Sequence, residues 1–534
     1  MLRVSRPPRR RGGARGFRPA GARALLAVLA MIAAAATAFL IADVTPVGSG
    51  AISVLAVAPV TLIALVNLTR LGAHAFAPST LFLAALAAFH LGMIMPVVAG
   101  LAEAPLWLDA LSDHAVAEAL LAIVLAFACL EIGLVLGWRR THAQPPPIRP
   151  VAAAPRAPSP LHGGGLAVAA VAAAAALANL AAIGFARFFE SSYGYEIYAA
   201  TDSRILQMGF FWLLPAAALI SFAGARPGRE ARRAGVVVAA TTALLLFAGD
   251  RGGAISLLSG ALLVWTATRG PLPRRIAVGA PLVVLVLVPM IATIRQLPRN
   301  AVDLASIRDA AIEASPLAAL TEMGASFRPL VETMRLVPDD ESYRYGRTYL
   351  AAATRVLPNL GLTRADDDWR DADELSPDLW ITYTVAPWTF AAYGGLGYSA
   401  VAEPYLNFGA LGIAAYFVAL GLALGRLEVR LAQAPSRRVI ALAAVVFMSF
   451  LLTVRNDVQN FVRPALWDVG LIAVIEIVHG RRHARRAAPR ALHTARAAAT
   501  GRGPDDDPPR PHRIPATAPA PVTHGAETPA GGAA

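Results

Sequence analysis

Lysine is missing from all 534 residues, and cysteine occurs once, at Cys129. The 48 basic side chains are therefore all arginine, a usage that fits a GC-rich coding bias and is no evidence of function. One cysteine cannot close an internal disulfide. Charge is scarce as well: 16% of residues are charged against 56% hydrophobic, and mean hydropathy is +0.54. That balance excludes an ordinary soluble enzyme and describes a multi-pass membrane protein. There is no P-loop, no dinucleotide-binding fingerprint after a strand and no Cys/His spacing suited to zinc. No internal repeat is visible, which weakens an inverted-repeat transporter without excluding it.

What the chain has in quantity is long apolar runs. About 20 apolar residues cross the roughly 30 Å hydrocarbon core, and by that measure the sequence predicts about twelve spans. They cover 24–42, 51–68, 79–98, 115–138, 165–184, 205–224, 236–248, 254–268, 276–294, 406–425, 439–454 and 465–477. The seventh and eighth are short and separated only by the sequence GDRGG, so a single broken or re-entrant hairpin is the alternative there. The arginine-rich start, 1–23, followed by the run 24–42, imitates a secretory signal. The run is longer than a typical signal core and a second apolar run follows it, so it reads as a first span behind a basic cytoplasmic tail.

Arginine is distributed unevenly between alternate loops. With the N-terminal tail inside, the loops holding Arg139 and Arg140, the sequence ARPGREARR, the sequence RGPLPRR and the sequence RLEVRLAQAPSRR all fall on the cytoplasmic side. The positive-inside rule then places both termini in the cytoplasm. The expected organisation is a basic tail (1–23), nine spans (24–294), one large outer segment (295–405), three further spans (406–480) and a disordered cytoplasmic tail (481–534). The stretch 144–164 and the tail beyond 497 are rich in Pro and Ala and read as linkers.

The outer segment is long enough to fold. Ser315 followed by Pro316 gives an N-cap and a first-turn proline, and Leu317, Leu320, Phe327, Leu330, Val331 and Met334 recur at helical spacing. This predicts a helix on the membrane or over the bundle. A second helix is predicted from near Gly346 to before Pro358, carrying Arg347, Tyr349 and Arg355. Arginines gather on this side against the usual bias, among them Arg204, Arg251, Arg347, Arg455 and Arg463. A guanidinium fork suits phosphate oxygens, so such a cluster fits a lipid diphosphate. Local ion pairs or snorkelling to lipid headgroups explain a single arginine equally well.

The most informative stretch is YGGLGYSAVAEPYLNFGALG, which joins a glycine-rich turn to Glu403, Tyr405 and Asn407 and then to a span. A carboxylate at the mouth of a span is partly desolvated, which suits a general base. Orienting Asn407 or nearby arginines is the structural alternative. Arg251, in GDRGG, either faces a ligand or closes a turn with Asp250. Arg455 and Arg463, in RNDVQNFVRPALWD, are placed to meet anionic groups, while Trp467 reads as readily as an interfacial anchor. The acidic run around Asp366, Asp367 and Asp368 reads as a solvated loop, since nothing adjacent supplies convergent metal ligands. His90, inside an apolar span, reads as a helix-packing residue.

Taken together, GDRGG at a span boundary, a long outer segment with YRYGRTYLAAATRVLPN, then GGLGYSAVAEPYLNFGALG and RNDVQNFVRPALW, resemble the Wzy-type O-antigen and oligosaccharide repeat-unit polymerases. The resemblance runs from about Thr201 to Trp467. It implies an all-α polytopic membrane protein of about twelve spans, with the large outer-face loop between the ninth and tenth. It further implies a glycosyltransferase in the inner membrane that moves a growing glycan from undecaprenyl diphosphate onto a lipid-linked repeat unit. Arg251, Glu403 and Arg347 become the candidate catalytic residues; Arg204, Arg455, Arg463, Tyr349, Tyr405 and Asn407 become candidate substrate contacts. The implied partners are undecaprenyl-diphosphate-linked oligosaccharides, membrane lipid, a flippase and a chain-length regulator, with no nucleic acid, no cofactor and no metal. Two readings compete. An O-antigen ligase uses the same donor but is expected to carry a histidine in its large outer loop, and 295–405 has none. A lipid-linked-sugar flippase or polysaccharide transporter should line a cavity within the bundle with basic groups, which here gather beside a large loop.

Overall fold

A computed structural model of the chain describes residues 76–138, 159–184, 209–270, 303–313, 315–354, 376–391, 394–433 and 435–499, apart from a few isolated positions. The expected spans 24–42, 51–68 and 276–294 lie outside these residues, as do Arg204 and the acidic run at 365–371. The chain divides into a large unit, 1–476, and a C-terminal unit, 477–534. Among the described residues there is helix and turn but no strand.

In chain order the principal helices are α1 (Pro78–Leu91), α2 (Asp113–Trp138), α3 (Pro160–Ile183), α4 (Leu214–Gly224), α5 (Arg229–Phe247), α6 (Arg251–Arg269), α7 (Leu304–Glu313), α8 (Pro316–Met323), α9 (Phe327–Leu336), α10 (Arg347–Thr354), α11 (Pro377–Val385), α12 (Ala402–Ala432), α13 (Arg437–Leu451) and α14 (Gln459–Ala499). Four described stretches are long and apolar enough to cross a membrane: Asp113–Trp138, Pro160–Ala182, Ala402–Ala432 and Arg437–Val454. The two short apolar runs around GDRGG become α5 and α6, which pack against each other and gain length from charged first turns.

Local chemistry sets the helix ends. Asp250 accepts the Gly253 N–H at 2.8 Å and so caps α6; Ser436 does the same for α13 through Val439. Ser315 accepts the Ala318 N–H with Pro316 in the first turn of α8, as the sequence predicts. The continuous helix expected beyond it breaks at a 3-10 turn, Gly324–Ser326. There Gly324 lies against the backbone of Gly92 and Met93, an approach that a side chain would block. The helix resumes as α9, whose Phe327, Leu330 and Val331 are buried and which packs on α2 and α12, covering the bundle.

The densest packing joins α2 to α12. Gly133 and Gly137 on α2 face Gly421 and Gly425 on α12, and a Cβ built on Gly137 would stand 2.9 Å from the Gly425 Cα. Two glycines spaced four apart on each helix let the backbones approach closely enough for dispersion to bind them without a hydrophobic driving force. Further along α12, Glu428 accepts the Ser79 N–H at 2.9 Å and the Trp138 indole N–H at 2.9 Å, so one buried carboxylate ties the ends of α1, α2 and α12 together.

Candidate functional site: a carboxylate held at the mouth of a kinked helix

The first turns of α12 form a fixed platform. The Ser399 hydroxyl accepts the N–H groups of Val401 and Ala402, each at 3.1 Å, gathering amides at the helix start. His90 stands behind it: one ring nitrogen, Nδ1, faces the Leu86 carbonyl at 3.0 Å and Nε2 faces the Ser399 Oγ at 2.7 Å. With Nδ1 donating to a carbonyl, Nε2 is the acceptor and the Ser399 hydroxyl donates to it. His90 is thus the packing residue expected from its apolar setting. Residues 398–400 run alongside 454–455, with the Tyr398 N–H donating to the Arg455 carbonyl at 2.6 Å.

On this platform Glu403 is 2% exposed. The Thr348 hydroxyl donates to its Oε1 at 2.8 Å and the Val458 N–H to its Oε2 at 2.7 Å, so both oxygens are fixed from different segments of chain. Asn407 lies one turn on. Its amide donates to Thr348 Oγ1 at 2.8 Å and to the Glu403 carbonyl at 2.9 Å, while its Oδ1 accepts the Gly346 N–H at 2.8 Å. The backbone N–H groups of Arg344 and Tyr345 add bonds to the carbonyls of Leu406 and Asn407. Asn407 is therefore spent on internal bonds and clamps the 344–348 turn onto α12. Beyond it Phe408 and Gly409 leave helical geometry, Gly409 at φ 63°, and α12 kinks before its long apolar part.

The other candidates divide. Tyr349 packs by Glu403, and burial, followed by that carboxylate's charge, pushes its phenol far above the usual range. Tyr405 donates to the Val337 carbonyl at 3.2 Å, so its hydroxyl is used within the fold. Arg347 begins α10, is exposed, and has no ion pair among the described residues. Arg455 sits in the turn that supplies Val458 to Glu403, and Arg463 is half-buried on α14. Arg251 does not pair with Asp250, which caps α6 instead. Its guanidinium forks onto Glu322 of α8 with contacts of 2.6 and 3.2 Å, the bidentate geometry arginine favours. Gly252, the next residue, lies 3.4 Å from the Leu452 side chain by its Cβ direction, which puts the α6 start at the end of α13 that leads into Arg455.

Sequence reasoning did not single out Thr348, although it follows Arg347 in the quoted motif, nor Asp457, which lies within RNDVQNFVRPALWD. Asp457 is buried, its Oδ1 accepts from Asn460, and its Oδ2 has no donor among the described residues. Burial first, then the carboxylates of Asp378 and Glu403, raises its carboxyl well above the ordinary range. Among the described residues no three His, Cys, Asp or Glu side chains converge as metal ligands.

Helices of spanning length, with a buried and hydrogen-bonded carboxylate in the first turn of one of them, are the features of a polytopic membrane protein. A family model described as O-antigen polysaccharide polymerase Wzy matches residues 191–484, more than half of the chain, and the chain belongs to that family. The matched region holds Arg251, Arg347, Glu403, Asn407, Arg455 and Arg463. No match emerged among curated proteins or among solved structures.

Proposed function

We propose that the chain transfers a growing glycan from undecaprenyl diphosphate to a sugar hydroxyl of a lipid-linked repeat unit, at the outer face of the inner membrane. In that step the bond from the anomeric carbon to the diphosphate oxygen breaks and a bond to the acceptor oxygen forms. The acceptor proton passes to Glu403, and the electron pair leaves with the lipid diphosphate. The observation that carries this reading is the fixing of Glu403 by Thr348 and the Val458 N–H, which holds a carboxylate in one position at the mouth of a kinked helix. A base held in place by its neighbours does not spend entropy on orientation during reaction. Arg347, exposed and next in sequence to the Thr348 that bonds Glu403, is suited to neutralise charge on the leaving group. Arg251 would exchange Glu322 for a phosphate to take part, a like-for-like swap of one bidentate anion for another.

This reading is tested with purified protein and lipid-linked repeat units. Polymer should form in the presence of excess EDTA, because in this reading guanidinium groups take the place of a cation on the diphosphate. Glu403→Gln keeps the shape and the hydrogen bond from Val458 but cannot take a proton, and a base of this kind contributes about 10²–10⁴-fold. A loss in that range with normal expression is expected. Full activity in Glu403→Gln would remove the base, and a strict divalent-metal requirement would remove the metal-free step.

A further inference from the structure

A second feature of the kink has no part in the proton transfer. Tyr343, Tyr345, Phe408, Leu411, Gly412 and Ala415 line an open cleft of about 390 Å³. The Tyr343 ring stands edge-on to both Tyr345 and Tyr405, with centroids 6.3 and 6.1 Å apart. Leu411 is 82% exposed and Phe408 48%, on a helix whose length and composition suit a membrane. Apart from phenol hydroxyls the lining is apolar.

Tyr345 is the informative residue. Its φ is 46°, among the described residues the one positive φ outside glycine, and its side chain projects outward with the residue 72% exposed. Left-handed backbone favours glycine, and a large side chain there is strained. What the fold takes from this position is backbone: the Tyr345 N–H donates to the Asn407 carbonyl. Glycine would make that bond with less strain, so what the side chain adds is its ring, which meets the Tyr343 ring and leaves the rest of its surface exposed at the cleft. Gly346 follows, and its Cβ direction points to Phe408 Cζ at 3.3 Å, so the backbone leading into Arg347 forms the cleft's rim. An apolar cleft opening along a membrane helix, with an exposed arginine two residues beyond Tyr345 in its wall, is complementary to an apolar chain ending in an anion. A sugar ring would need hydrogen-bond partners that this lining barely supplies.

We propose that this cleft holds the isoprenoid units next to the diphosphate of the lipid carrier, with Tyr345 against the chain and Arg347 at the diphosphate. The proposal rests on the transferase reading above and gives it a location for the carrier.

The experiment uses the full-length protein in phospholipid nanodiscs and a prenyl diphosphate bearing a diazirine in its first isoprene units. After photolysis, label is expected on peptides containing 343–347 and 408–415. Unlabelled prenyl diphosphate should compete for it, and the matching prenol or added phospholipid should not. Tyr345→Gly should weaken labelling roughly tenfold, the loss of one aromatic contact with its buried area, while the melting temperature holds or rises because glycine suits this backbone. Arg347→Ala should abolish the preference for diphosphate over prenol. Label competed equally by phospholipid would make the cleft an ordinary lipid contact and overturn the proposal. Unchanged labelling in Tyr345→Gly, or a fall in labelling together with melting temperature, would overturn it as well. Labelling needs no polymerisation, so the two readings fail separately. Specific label here in a protein that makes no polymer supports the cleft and refutes the transfer reaction, whereas an active polymerase labelled elsewhere refutes the cleft.

Discussion

Single side chains at this site are distinguished by how completely their bonding is used. Asn407, with donors and acceptor all engaged, acts as a clamp; Glu403 has both oxygens held yet keeps capacity to accept a proton. Asp457 differs from both, because its Oδ2 is buried without a donor among the described residues and the carboxylates of Asp378 and Glu403 act on it. Its raised folded value fixes the sign of a pH effect. The folded protein binds this proton more tightly than the unfolded chain does. Stability from the group is therefore fully present below the ordinary aspartate value of about 3.9 and is lost as pH rises through the raised folded value. Asp457→Asn removes that loss and retains an acceptor for Asn460. The melting temperature of the variant relative to the parent, measured across pH 5 to 9 in detergent, should climb with pH. A difference that is flat or falls with pH would mean Asp457 is ionised throughout.

At the scale of elements, the sequence carries the helices well and their breaks less well. Ser315, Pro316 and Gly346 mark helix starts through local chemistry, and α8 and α10 begin where those residues say. The break at Gly324 depends on the backbone of Gly92 and Met93, more than two hundred residues away in sequence, and the Gly409 kink sits beside Tyr343; neither contact is written in the local pattern. Glu403 and Asn407 were legible because a carboxylate and an amide at a span mouth are rare. Thr348 was not, since a threonine after an arginine is ordinary until the 344–348 turn brings it onto α12. The Gly133/Gly137 and Gly421/Gly425 pairs were present in the sequence as small residues four apart, but an alanine-rich membrane chain has many such spacings and partner choice is tertiary. Gly421→Leu tests the pairing. A side chain there meets the backbone of Leu130 and Leu134, and overpacking of this kind costs about 1–3 kcal/mol or more. A lowered melting temperature is expected, together with reduced polymerisation because α12 carries Glu403. A neutral Gly421→Leu would show that α2 and α12 do not meet here.

At the scale of the molecule, the proposed transfer requires α12 to cross the membrane with its Glu403 end on the outer side. The helix has 31 residues, which at about 1.5 Å each gives roughly 45 Å before allowing for the kink. That matches the roughly 40–45 Å of a bilayer with its headgroup regions. Its two ends should therefore be reachable from opposite sides. Ser342 is exposed in the segment that meets the first turns of α12, and Gln433 is exposed at its C-terminal cap. The single native cysteine, Cys129, is buried within α2 and is removed as Cys129→Ser to clear the background. In that background, Ser342→Cys should react with a membrane-impermeant maleimide in intact spheroplasts. Gln433→Cys should react only after the membrane is opened. The reverse pattern would put the Glu403 platform in the cytoplasm, where arginine-rich loops were expected to lie, and would separate it from a substrate presented outside. Labelling of both sites from one side would mean that α12 does not cross, and the kinked-span geometry behind both the base and the carrier cleft would lose its footing.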